Sequence, residues 1–346
     1  MNFTQLIETA RNEMCSDVHV TVGTAIARRR FGELEILEPV PTAEQSREII
    51  LETLTEEQKE KVLKGEDLDF SIMMPDGSRI RANIYHQRNN LAAAYRILYN
   101  TIPTFDELGL PKVVRSLVNE TRGLVLITGP TGSGKTTTMA SMVDYINSNM
   151  NKHVITIEDP IEYTYYHKKS MIHQREIGKD VEDYATALYS ALREDPDVIL
   201  VGEMRDYETI RAAITAAETG HLVLSTLHTC SAAQTIERII EAYPPHAQNQ
   251  ISTQLSGVLK GVITQVLVPL SDGNGMEIAT EVMVNNDAIA NQIRGLKVHQ
   301  IPSTIQSSSS VGMHTLDSDL KRLLGVGKIT KETALKYCLN PKKFTV

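Results

Sequence analysis

The chain has 346 residues, of which 41% are hydrophobic and 23% charged, enough for two folded domains with a sizeable core. A net charge of −8 argues against broad nucleic-acid binding. No apolar run approaches the ~18 residues of a membrane span, no signal peptide is evident, and Cys15, Cys230 and Cys338 are too scattered for a zinc site or a disulfide framework.

In chain order, Phe3, Leu6, Ile7, Ala10 and Met14 repeat at helical spacing. Asp17–Val22 and Glu33–Leu37 read as short strands around a turn at Gly32, and a solvated hairpin face explains the basic cluster Arg28-Arg29-Arg30 as well as a ligand does. Helices are expected over Thr42–Leu54 and from Thr55, where Thr55-x-x-Gln58 forms a capping box. Leu68, Phe70 and Ile72 alternate as a strand, Pro75-Asp76-Gly77 marks a turn, and Arg79–Tyr85 and Leu91–Leu98 complete a sheet. Residues 1–99 therefore read as an N-terminal α+β domain, a helix layer against an antiparallel sheet. Residues 100–112, with Pro103, Gly109 and Pro111, read as a linker.

Residues 113–346 change character. Continuous apolar runs appear at Leu124–Thr128, Val154–Ile157, Val198–Val201, Leu222–Leu224 and Val266–Leu270, most of them separated by helical segments. Strands apolar on both faces and alternating with helices predict a buried, mainly parallel α/β sheet. Ser307–Ser310 reads as a loop, and the C-terminal part, about 286–346, as helical, with helices near Asp317–Leu324 and Lys331–Leu339.

The first apolar run leads into Gly129, Pro130, Thr131, Gly132, Ser133, Gly134, Lys135 and Thr136, a complete G-x-x-x-x-G-K-[ST] loop, followed by Thr137 and a helix-compatible segment. The glycines let consecutive N–H groups turn toward one anion, and the helix adds its positive end. Lys135 would reach the β- and γ-phosphates of ATP, and the Thr136 hydroxyl would ligate Mg²⁺. A P-loop after the first strand predicts a RecA-like or related nucleotide-binding domain.

Hydrolysis also needs carboxylates. Asp197–Val201 leads through Gly202 to Glu203, the Walker B pattern, and the glycine is expected to let the chain pass close to the P-loop. In Ile157-Glu-Asp-Pro-Ile-Glu162, Pro160 forces a turn that would aim Glu162 into the cleft, although spacing alone leaves Glu162 balanced between chemistry and helix capping. His221 and His228 flank Leu222–Leu227 as candidates for sensing a γ-phosphate, while position alone favours a structural role.

Together these segments resemble the type II/type IV secretion ATPase superfamily over nearly the whole chain. Thr156–Glu162 is similar to its Asp box, Ala191–Asp206 to its Walker B region, Thr219–His228 to its His box, and Ser16-Asp17-Val18-His19 to the opening of its PAS-like N-terminal domain. Single motifs of this kind are moderately specific; four in order at these spacings are highly specific. The resemblance implies a PAS-like N-terminal domain and a RecA-like ATPase domain. It implies Glu162 as general base, Glu203 as orderer of water around Mg²⁺, and His228 and His221 as couplers of nucleotide state to conformation. It implies Arg79, Arg81 and Arg96 as arginines approaching the phosphates from the N-terminal domain, with Arg193 a further candidate; pattern alone reads the first three as surface strand residues.

The resemblance further implies a cytoplasmic homohexameric motor, peripheral at the inner membrane at a pilus base. Its partners there would be a membrane platform protein and a paralogous retraction ATPase, with no nucleic acid and no membrane span of its own. The absence of paired cysteines and the start at the PAS-like segment favour the pilus-retraction branch over assembly and type II secretion ATPases. An accessory retraction paralogue is harder to separate, and a nucleic-acid motor or a non-hydrolysing scaffold are the readings from other classes. One departure stands out: Ala288-Ile289-Ala290, where the family often carries Ala-Ile-Arg, with an arginine only at Arg294.

Overall fold

The computed structural model describes residues 2–98 and 101–344. Met1, Tyr99, Asn100, Thr345 and Val346, and with them the ends of the expected N-terminal domain and the first linker residue, lie outside the described residues. The chain divides into two compact units, Met1–Thr101 and Ile102–Val346.

In the first unit the elements are α1 (Phe3–Asn12), β1 (Cys15–Thr21), β2 (Ala27–Arg30), β3 (Glu33–Ile36), α2 (Ala43–Leu51), α3 (Glu56–Leu63), β4 (Leu68–Met73), β5 (Arg79–Gln87) and β6 (Asn90–Ile97). Each helix starts at a capping box, Asn2/Gln5, Thr42/Gln45 and Thr55/Gln58, which satisfies two otherwise unpaired donors. The strands form an antiparallel sheet in the order β3-β2-β1-β6-β5-β4. Ile80, Ala82, Ile84, Tyr95 and Ile97 alternate into the core with Phe3, Ile7 and Ile50. The opposite face carries Arg79, Arg81 and Arg96, and Arg81 pairs across the strands with Arg96. Sequence pattern did not show β2, because three of its four residues are arginines; Arg28 holds its place by pairing with Glu13 and Glu35.

The second unit contains α4 (Val113–Val118), β7 (Gly123–Thr128), α5 (Lys135–Asn149), β8 (His153–Glu158), β9 (Met171–Glu176), α6 (Tyr184–Ala191), β10 (Val198–Val201), α7 (Tyr207–Glu218), β11 (Leu222–Leu227), α8 (Ala232–Glu241) and α9 (Gln248–Val258). After these come β12 (Leu259–Pro269), β13 (Met276–Val284), α10 (Asp287–Arg294), α11 (Ile301–Ser307), α12 (Leu316–Gly325) and α13 (Lys331–Tyr337). The sheet order is β13-β12-β7-β11-β10-β8-β9, parallel except for β13 at one edge. All six residues of β7 are buried, because both faces are covered. Leu124 and Leu126 pack with α6 to α11 on one side, and Val125 and Ile127 pack with α4 and α5 on the other.

Part of the segment expected as a linker belongs to this core: Phe105 and Leu110 are buried, and the Phe105 ring lies 5.1 Å from that of Tyr145. The expected Val266–Leu270 strand is the far half of the longer β12. β9 and β13 had no apolar run to reveal them. Each sits at a sheet edge, where one flank lacks a neighbour and polar side chains are tolerated. Ser307 closes α11 and Ser309–Val311 form a 3-10 turn, so the expected loop at Ser307–Ser310 is largely helical.

Candidate active site

In parallel strands the carboxyl ends lie along one edge of the sheet, where open α/β sheets bind ligands. Here Leu227 pairs with Thr128, Val201 with Ser225, and Val201 with Ile157, so β7, β8, β10 and β11 end together. The segments leaving that edge are the P-loop, the Asp159–Glu162 turn, Gly202-Glu203 and His228. The sheet thus gathers four separate sequence motifs by register alone.

Gly134 heads α5 in the left-handed region with no side-chain cap, leaving the first-turn N–H groups directed outward. Lys135 is 8% exposed, and its ammonium donates to the carbonyls of Gly129 (2.8 Å) and Pro130 (3.0 Å). Burial lowers its pKa, opposed by the charge of Glu203, so that carboxylate lies within electrostatic reach of the lysine. Gly129 has φ +144°, and a Cβ there would fall 2.2 Å from the Gln265 carbonyl oxygen and 2.6 Å from Ser133 Oγ, so only glycine fits. The fully buried Gln265 side chain donates from Nε2 to the Ser133 carbonyl at 2.7 Å. Its Oε1 and Ser133 Oγ are buried without a hydrogen-bond partner among the described residues.

Beside the P-loop, the turn after β8 is tied down at several points. Tyr163 OH lies 3.0 Å from Thr137 Oγ1, at the start of α5. Glu158, buried, accepts from Thr156 Oγ1 (2.6 Å) and Gln174 Nε2 (3.2 Å). Burial pushes its pKa up to about 7, against the pull of those two donors. Glu162 is partly buried four residues further on.

At the end of β10, Glu203 faces both Arg205 and His228, with His228 Nε2 3.2 Å from Glu203 Oε2. β11 holds this turn through Ser225 Oγ to the Val201 carbonyl (2.9 Å) and Thr226 Oγ1 to the Gly202 carbonyl (2.6 Å). The close neighbours of Gly202 differ from the expected one: a Cβ there would sit 2.9 Å from the tip of the Tyr184 side chain and in ordinary contact, 3.6 Å, with Glu158 Cα, so it faces α6 and β8 rather than the P-loop.

Two candidates lie elsewhere. His221 precedes β11, its carbonyl accepts from Gly123 N at the start of β7, and its ring Nδ1 meets the Ala216 carbonyl at 3.0 Å. That is the amino edge of the sheet, roughly 20 Å from the P-loop at about 3.3 Å per strand residue. Arg193 follows α6 on the approach to β10 and is exposed at the same far edge. Strand length explains both: β10 and β11 run parallel with their carboxyl ends toward the P-loop, so residues that precede them lie at the opposite edge. Arg79, Arg81 and Arg96 lie in the first unit, where Arg81 pairs with Asp69 at 2.7 Å and Arg96 with Asp17 at 3.1 Å.

Sequence reasoning missed Gln265, Tyr163, Gln174 and Arg205. Only Gln265 had a signal of its own, an amide inside the apolar stretch Val262–Val268 that becomes β12. A buried glutamine there needs a partner, and the P-loop carbonyl is that partner.

A family model described as Type II/IV secretion system protein matches residues 2–310. The type IV pilus retraction ATPase PilT of Pseudomonas aeruginosa is 41% identical, over 99% of this chain and all of that protein. The type IV pilus ATPase PilU of the same organism is 37% identical, over 97% of this chain and 88% of its own length. A crystal structure of the pilus retraction motor PilT with bound ADP superposes with a TM-score of 0.87 at 44% identity, covering 99% of this chain and 98% of the other.

Proposed function

The chain belongs to the Type II/IV secretion system protein family, whose members are ATPases, and from that premise we propose that it is a hexameric motor that hydrolyses ATP to drive type IV pilus retraction. The observation that carries this reading is the common carboxyl edge of β7, β8, β10 and β11, which brings the P-loop, Glu162, Glu203 and His228 into one neighbourhood.

The P-loop N–H groups and Lys135 bind the triphosphate, the lysine exchanging the Gly129 and Pro130 carbonyls for phosphate oxygens. Glu162 takes a proton from water as that water attacks the γ-phosphorus and the bond to the ADP oxygen breaks. His228, in contact with Glu203, reports the state of that carboxylate to β11 and α8. Thr136 and Glu203 offer hard oxygen donors that suit Mg²⁺, which when bound neutralises charge on the phosphates. Arg79, Arg81 and Arg96 carry guanidinium groups of the kind that offset charge on a transferring phosphoryl. The ion pairs of Arg81 and Arg96 with Asp69 and Asp17 are partly exposed and weak enough to exchange. A nucleotide that binds one conformation of the chain better than another shifts the population toward it, and that movement is passed to a platform protein at the cytoplasmic face of the inner membrane.

The test is phosphate release from Mg–ATP by the purified chain, with Lys135→Ala and Glu162→Gln beside it. Both variants should lose turnover, and Glu162→Gln should keep nucleotide affinity. A wild-type chain that releases no phosphate in any assembly state would end the reading. In cells, deletion should leave surface pili that do not shorten; pili that retract normally would assign the ATPase to another output.

A further inference from the structure

Residues 159–165 have no regular secondary structure, yet they hold the proposed base, so their geometry must come from neighbours. Most of it comes from β9. Gln174 stands opposite Thr156 in the parallel β8–β9 pair. Its Nε2 donates to the Tyr163 carbonyl (2.8 Å) and to Glu158 Oε1 (3.2 Å), and its Oε1 accepts from Tyr165 N (2.9 Å). One amide thus uses both ends to grip the backbone on either side of Thr164 and ties that backbone to the buried carboxyl at the end of β8. Two residues along β9, Glu176 Oε2 accepts from Ile161 N at 3.3 Å, so the same strand holds the turn before and after Glu162. Tyr163 then carries the arrangement to the P-loop helix through Thr137.

We propose that Gln174 is a positioning residue for ATP hydrolysis: by clamping Tyr163, Tyr165 and Glu158 together, it sets where Glu162 stands relative to the P-loop. This rests on the reading of Glu162 as the base. Both ends of the Gln174 amide are engaged by protein partners, so it acts through the backbone of the turn. Displacing a catalytic group by about 1 Å can cost on the order of 100-fold in rate, so loss of the clamp should appear in kcat. Nucleotide affinity, which the P-loop supplies, should change little.

The experiment compares the full-length wild type with Gln174→Leu, Gln174→Glu and Glu162→Gln, measuring kcat, ADP affinity and hydrogen exchange at the Tyr165 amide. Gln174→Leu should lower kcat by on the order of 10- to 100-fold, leave ADP affinity within about twofold, and speed Tyr165 exchange. Gln174→Glu has the same shape and keeps the acceptor for Tyr165 but lacks the amide donors. The introduced carboxyl and that of Glu158 can bridge only while they share a proton, so kcat of this variant should fall as pH rises through neutrality, with Tyr165 still protected. This isosteric variant keeps the test valid if the leucine chain fails to fold. Gln174→Leu turning over at the wild-type rate while Glu162→Gln is inactive would overturn the proposal. So would a parallel loss of ADP affinity and kcat. Normal turnover by Glu162→Gln would instead remove the base assignment, and the proposal with it, whatever the Gln174 variants do.

Discussion

The hydroxyl of Tyr163 lies 3.0 Å from Thr137 Oγ1, joining the turn that follows β8 to the first turn of the P-loop helix. Both hydroxyls are partly buried, and the bond is a direct side-chain link between the segment carrying Glu162 and the helix that begins at Lys135. Tyr163→Phe and Thr137→Val should each lower turnover several-fold, and the double variant should lose little more than either single one, because one shared bond is removed. Steady-state kinetics in a double-mutant cycle reads this; fully multiplicative losses would show that the two hydroxyls act independently.

His228 and His221 should separate in function, because they lie at opposite ends of β11. His228→Ala removes a contact to Glu203 and should lower kcat by about tenfold or more. His221→Ala loses ring contacts to Ala216 and Thr219 at the far edge and should act mainly on stability, by about 1 kcal/mol. Phosphate-release rates and thermal unfolding on both variants check the division.

Gln265 fixes the shape of the P-loop through the Ser133 carbonyl. Gln265→Leu leaves that carbonyl without its donor inside the protein, a loss of about 1–3 kcal/mol. Because the distorted element is the anion cradle, the loss should appear as weaker binding of ATP and ADP, about five- to 150-fold, by equilibrium titration.

Glu158 should make the ATPase unit less stable as pH rises. Its folded pKa of about 7 lies above the model-peptide value of 4.5, so between those values the folded chain holds a proton that the unfolded chain has released. Stability from this group is full below about 4.5, falls through the interval, and is lowest above about 7, by roughly 3 kcal/mol. Glu158→Gln removes the titration. Its melting temperature relative to wild type should climb from pH 5 to pH 8 and then level off, as calorimetry across that range would show.

Much of this protein was written in local pattern. A P-loop needs its glycines and lysine contiguous, so Gly129–Thr136 was legible as a string. β7, buried on both faces, announced itself by unbroken apolar residues, and α3 by the Thr55/Gln58 cap. Glu203 and Glu162 could be nominated because each follows an apolar strand. What no local pattern contained was which strand ends meet. His221 and His228 are equivalent in sequence, seven residues apart around one strand, and only the parallel register with β7 puts one at the P-loop and the other at the far edge. The supports were hidden for the same reason. Gln174 and Gln265 lie 39 and 130 residues from Lys135, on strands whose neighbours are chosen by sheet order rather than by sequence. Chemistry-bearing residue types are set one position at a time, but hydrogen bonds between distant strands exist only once the sheet has closed around them.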